Sequence, residues 1–171
     1  MTMEITEDRL TFSFPDDQGQ ASKYDDWSFY RNQLTNAFGS SKAMDIIWVD
    51  KQQTWLIEIK DYRTDRRTKP MDLGEELALK VRDTLAGLVA ARCNANDAGE
   101  RQFATTALKK KRFRVVLHLE QPRKHSKLFP RAIDPSKVKL KLKQWLKAID
   151  AHPSVVDQHS LTPSMEWSVK G

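Results

Sequence analysis

Two runs rich in β-branched and aromatic residues, 46–49 and 54–59, flank the polar residues 50–53. This pattern predicts a tight antiparallel hairpin. A turn centred on Lys51 and Gln52 places Asp45 directly opposite Glu58, with both carboxylates on one sheet face. Ile47, Val49 and Leu56 fill that face while Ile57 and Ile59 fill the other, so both strands read as interior strands covered on both sides.

The rest of the chain supplies elements to cover them. Leu10, Phe12 and Phe14 alternate with Arg9, Thr11 and Ser13, which predicts a first strand within residues 5–14, ended by the turn-forming residues 15–19. Over residues 24–38, Trp27, Tyr30, Leu34, Ala37 and Phe38 recur at helical intervals, with Asp25 and Asp26 in the electropositive first turn and Gly39 as the stop. The plainest helix spans residues 72–93. Its stripe of Leu77, Val81, Leu85 and Leu88, widened by Ala78 and Val89, should cover a sheet face.

Residues 94–99 read as a loop, and residues 101–110 fit helix and loop equally. Phe113, Val115, Val116, Leu117 and Leu119 predict another interior strand. Residues 121–130, with His125 and two prolines, predict an exposed connection. Asp134-Pro135-Ser136 starts a helix that Val138, Leu142, Trp145, Leu146 and Ile149 carry onward, although alternation over 138–142 also permits a short strand. Met165, Trp167 and Val169 predict a late edge strand. The order strand, helix, hairpin, helix, strand, helix, strand gives an α/β (α+β) fold, a mixed central sheet flanked by helices. One domain should span residues 1–171, with a core over about 24–120 and a C-terminal helix and strand over 134–170.

Composition narrows the class. At 171 residues, 39% hydrophobic and 30% charged, the chain can bury one substantial core. No stretch approaches the roughly 18 apolar residues of a membrane span. Glu4, Glu7 and Asp8 stand where a secretory leader would be apolar. Cys93 is the single cysteine, so no internal disulfide forms and a reducing, cytoplasmic (intracellular) setting is expected. The four histidines lack the close spacing of a zinc site. A net charge of +6 and a pI near 9.4 favour phosphate polyanions as partners.

The opposed Asp45 and Glu58 are the candidate chemistry. Like charges about 5 Å apart across a strand pair destabilise a sheet unless a cation lies between them. Lys60 shares their face, and Mg²⁺ or Mn²⁺ would supply the remaining positive charge. Asp45 followed by Glu58-Ile59-Lys60 resembles the signature of the PD-(D/E)XK nuclease superfamily, with Met44 where the motif's proline would stand. The resemblance implies a restriction-endonuclease-like sheet and a metal-dependent endonuclease, hydrolysing phosphodiester bonds, with DNA as the expected substrate. Asp45, Glu58 and the Ile59 carbonyl would hold the metal, and Lys60 would orient the attacking water. The superfamily implies a role in restriction, defence or mobile-element processing.

Arg63, Arg66 and Arg67, leaving the strand of Glu58, and Lys80, flanking the stripe of the next helix, are candidate nucleic-acid contacts. Ordinary solvation explains the arginines as well, and snorkelling explains Lys80. Targeting would then fall to a homodimer or a partner protein. Two other readings fit the same residues: a nucleic-acid-binding subunit that does not cut, and a protein-interaction domain with superficial hairpin charges.

Overall fold

The computed structural model describes residues 1–123 and 132–171; the expected connection falls largely on 124–130, outside the described residues, as does the side chain of Phe38. The chain is a mixed α/β fold built on two sheets. Strands β1 (Thr2–Glu7) and β2 (Leu10–Pro15) form a hairpin. Strand β3 (Gly19–Lys23) leads to the central pair β4 (Ile46–Asp50) and β5 (Gln53–Asp61). Helices α1 (Leu73–Asn94) and α2 (Ala98–Leu108) follow, then β6 (Arg112–Glu120), α3 (Pro135–Leu146), β7 (Ser154–Val156) and β8 (Ser168–Lys170).

The five-stranded sheet runs β3-β4-β5-β6-β7, and the three-stranded sheet runs β1-β2-β8. In the hairpin Ile46 pairs with Ile57, Ile47 with Leu56 and Trp48 with Trp55, the register that a Lys51-Gln52 turn demands. Asp50 fixes that turn. Its Oδ1 accepts from the Gln52 and Gln53 amides, both at 2.7 Å, and its Oδ2 accepts from Trp55 Nε1 at 2.8 Å. Strand β6 lies parallel to β5, reached through α1 and α2.

Alternation divides the core. Ile47, Val49, Leu56, Val115 and Leu117 face the helices, packing with Leu77, Val81 and Leu88 of α1, Ala104 of α2 and Leu142 of α3. Ile46, Trp48, Trp55, Ile57 and Val116 face the small sheet, meeting Leu10, Phe12, Phe14 and Trp167. Each fully buried Leu or Val on these faces contributes about 1.5–3 kcal/mol. One face of the central sheet is therefore covered by helices and the other by β-structure.

Several expectations change. The helix over 24–38 is broken into a 3₁₀ turn (Tyr24–Asp26), a π-type turn (Tyr30–Leu34) and a second 3₁₀ turn (Ala37–Gly39). Among the described residues no side chain caps these turns. Tyr24, Trp27 and Phe29 are all buried, a spacing that a single α-helical face does not accommodate. Residues 101–110 prove largely helical, capped by Asp97. Strand β1 escapes the pattern because Met3 and Ile5 are only partly buried, and β3 because its sequence GQASK is small and polar. Val89 and Trp145, placed on apolar stripes by spacing, are 53% and 49% exposed. The late strand is present, at the edge of the small sheet.

Candidate functional site

At the C-terminal end of β5 the helix-facing side chains are charged. Glu58 is 0% exposed. Its Oε1 accepts from Lys60 Nζ at 2.8 Å and from Lys80 Nζ at 2.5 Å, while Oε2 has no partner among the described residues. Lys80 reaches it because α1 packs the Leu77–Val81 side of its surface on the sheet; Lys80 stands one turn after Glu76 on that same side. Burial pulls the Lys60 ammonium down, but the adjoining Glu58 carboxylate outweighs it and holds the group above its ordinary value.

Asp45 lies just before β4. Its Oδ2 accepts from the Ile59 amide at 2.7 Å, so the backbone of β5 fixes the carboxylate. Burial, and then the charge of Glu58, push Asp45 up to about 8. Two acids that capping and solvation explain equally well in the sequence stand beside it. Glu7, from the end of β1, and Asp25, from the first 3₁₀ turn, each bring a carboxylate oxygen within 4.8 Å of one on Asp45. Burial, with Glu7 adding to it, raises Asp25 to about 6. A cavity of about 280 Å³ opens on this group, bordered by Glu7, Asp45, Ile59, Lys60 and the loop after β5.

That loop is held by an acid the sequence reading missed. Glu76, 2% exposed in the first turn of α1, pairs with Arg67 at 2.6 Å, Lys69 at 2.9 Å and Lys60 at 3.6 Å. Burial opposes its ionisation, but the hydrogen bonds from Lys69 and Arg67 prevail and hold Glu76 at about 2. Its spacing of four from Lys80 was the available signal.

The expected nucleic-acid contacts are mostly engaged elsewhere. Arg63 pairs with Asp61 at 2.6 Å. Arg67 also donates to Tyr62 Oη at 3.1 Å and to the Met71 carbonyl at 2.7 Å. Lys80 is bound to Glu58. Arg66 is exposed at the cavity rim. So Asp45, Glu58, Ile59, Lys60 and Lys80 converge, whereas Arg63 and Arg67 fasten their own loop.

No family model matches this chain. A curated protein, cysteine–tRNA ligase of Neisseria meningitidis serogroup A / serotype 4A (strain DSM 15465 / Z2491), is 35% identical over 176 residues, covering 84% of this chain and 25% of the relative. The chain thus spans about a quarter of the length of the relative it matches. No solved structure matches.

This likeness overturns the nuclease expectation. The protein that shares sequence across most of this chain is named a ligase, so a PD-(D/E)XK endonuclease, a phosphodiester hydrolase acting on DNA, is not supported. The short acidic-x-Lys signature also has an explanation in packing. Lys60 and Lys80 neutralise a fully buried Glu58, and Asp45 is tied to the backbone of the neighbouring strand. Among the described residues no helix is long and apolar enough to cross a membrane.

Proposed function

We propose that this chain is an RNA-contacting module that binds tRNA, acting as a counterpart of one segment of cysteine–tRNA ligase. The observation that carries the reading is the 35% identity across 84% of the chain, and the net charge of +6 supports it. Ligation chemistry belongs to the whole relative, and the reading here is confined to RNA contact. The test is fluorescence anisotropy with a labelled cysteine tRNA transcript and a DNA duplex of equal length across a salt series. Tighter binding of the tRNA, weakening as salt rises, is the expected result. No binding of tRNA at about 50 mM salt, where phosphate contacts are strongest, overturns it.

We infer in addition that the acids at the end of β5 hold Mg²⁺ or Mn²⁺. The support is the carboxylates of Glu7, Asp25 and Asp45, whose oxygens lie within 4.8 Å of one another in a set suited to a hard cation; Glu58, whose buried Oε2 is unpartnered among the described residues, acts on Asp45 by its charge. Asp45 and the Ile59 carbonyl would be ligands, with Glu7 and Asp25 completing the set. The ion would neutralise the clustered carboxylates. Calorimetric titration of the purified chain with MnCl₂ should show binding that Asp45→Asn weakens. Equal heats for both proteins would refute the site.

A further inference from the structure

We propose that the turn of the β4–β5 hairpin and the junction between α2 and β6 form a docking surface for the phosphate backbone of RNA. The proposal rests on the RNA-contact reading and locates it away from the acidic group. Lys51, from the turn, and Lys109, Lys110, Lys111 and Arg112, from the junction, line one open cavity of about 680 Å³. No carboxylate lines it, and none of the five cations is paired with one among the described residues. Four of the five are exposed, and Lys110 is partly so.

The contrast with the opposite end of the sheet carries the argument. There Lys60, Arg63, Arg67, Lys69 and Lys80 all meet carboxylates, so their charge is largely neutralised within the protein. The two ends are separated by the length of β5 from Gln53 to Lys60, roughly 23 Å at about 3.3 Å per residue. Five cations without a carboxylate partner among the described residues thus converge at the hairpin end.

Its floor is rigid. Asp50 holds the turn through three hydrogen bonds. Thr54 Oγ1 donates to the Ala107 carbonyl at 2.8 Å, fastening the end of α2 to β5. Lys110 Nζ donates to the Lys51 carbonyl at 3.1 Å, drawing the two walls together. Cations at a helix C-terminus suit the helix dipole, which accounts for Lys109 and Lys110. The dipole does not account for Lys51, Lys111 and Arg112 converging on the same cavity from other elements.

Polyphosphate fits this surface better than a lipid bilayer does. The large exposed apolar side chains among the described residues, Met1, Val89, Leu140 and Trp145, lie at the N-terminus and on α1 and α3, not beside the cavity. Gln52 and Gln53 add amide groups suited to phosphate and sugar oxygens. The lysines of α3 form a weaker rival. Lys141 is paired with Asp72 at 2.6 Å, and Asp134 caps the start of that helix.

The experiment measures binding of a labelled cysteine tRNA transcript to the full chain, to Lys109→Glu/Lys111→Glu and to Lys137→Glu/Lys139→Glu, with circular dichroism as the folding control. The junction variant should bind at least about tenfold more weakly near 0.1 M salt, with its log–log salt slope reduced in magnitude by about 2. The α3 variant should stay within about twofold of wild type. If wild type binds tRNA and the junction variant binds equally well, this surface is refuted while the RNA-contact reading stands. If wild type binds no tRNA, both fall. Loss of binding to phosphatidylserine vesicles in the junction variant, with tRNA unbound throughout, would assign the surface to lipid and overturn the proposal.

Discussion

Lys80 of α1 and Lys60 of β5 donate to the same carboxylate oxygen, Oε1 of Glu58, at 2.5 and 2.8 Å. A fully buried acid is thereby the anchor of two ammonium groups contributed by different elements. Opposed carboxylates in a bare hairpin would gain from losing one charge; in this packing the balance reverses. Glu58→Ala should destabilise the protein by about 3 kcal/mol, because it strands two mostly buried cations side by side. Urea denaturation followed by tryptophan fluorescence measures the loss, and unchanged or raised stability would contradict the anchoring role.

Glu76 makes a prediction about acid. Its pKa in the folded chain, about 2, lies below the ordinary 4.5. The ion pairs with Arg67, Lys69 and Lys60 therefore stabilise the fold fully above pH 4.5, and that contribution disappears as pH falls from about 4.5 through about 2. Melting temperatures of wild type and Glu76→Gln should differ most at pH 5–7 and converge towards pH 2.5. A constant difference across that range would show that Glu76 acts by shape alone.

Asp50→Ala should cost about 2–3 kcal/mol. The variant leaves the amides of Gln52 and Gln53 to water and the Trp55 indole N–H without an acceptor inside the core. A shift in the tryptophan emission maximum together with a lower urea midpoint is the expected result.

Gly87→Ala tests close approach, since alanine is ordinarily the better helix former by about 1 kcal/mol. At this position a Cβ would overlap the hydroxyl of the fully buried Tyr24 and approach Leu34 Cδ2 to 2.8 Å. Packing should prevail over propensity, lowering stability by about 1–3 kcal/mol. A thermal melt that moves upward would show that the broken turns at 24–39 yield instead.

The sequence was readable where one periodicity governed a whole element. Alternation in residues 46–59 gave the hairpin and its register, and the 3.6-residue stripe gave α1 with Lys80 at its edge. Legibility failed where burial came from several directions. Tyr24, Trp27 and Phe29 each pack inward from irregular turns, and no helical wheel represents that arrangement. The site was legible only as far as local spacing reaches. Asp45 and Glu58 follow from the hairpin, but Glu7 and Asp25 join them through the packing of β1 and the first 3₁₀ turn, which short-range pattern does not encode. Arg67 looked free because its acceptor, Glu76, lies on the next helix and had no assigned role.

The parallel pairing of β5 with β6 also shapes the order in which the molecule can assemble. The hairpin closes over a two-residue turn, a microsecond event, but β5 acquires its second neighbour only after α1 and α2 are folded back between Asp61 and Arg112. Closing so long a loop before its contacts form is entropically costly, so this step should govern the folding rate. Until it is complete, one edge of β5 and the apolar face beneath α1 are open to other chains. Aggregation during refolding should therefore respond to substitutions along β6 more than to any in the hairpin turn.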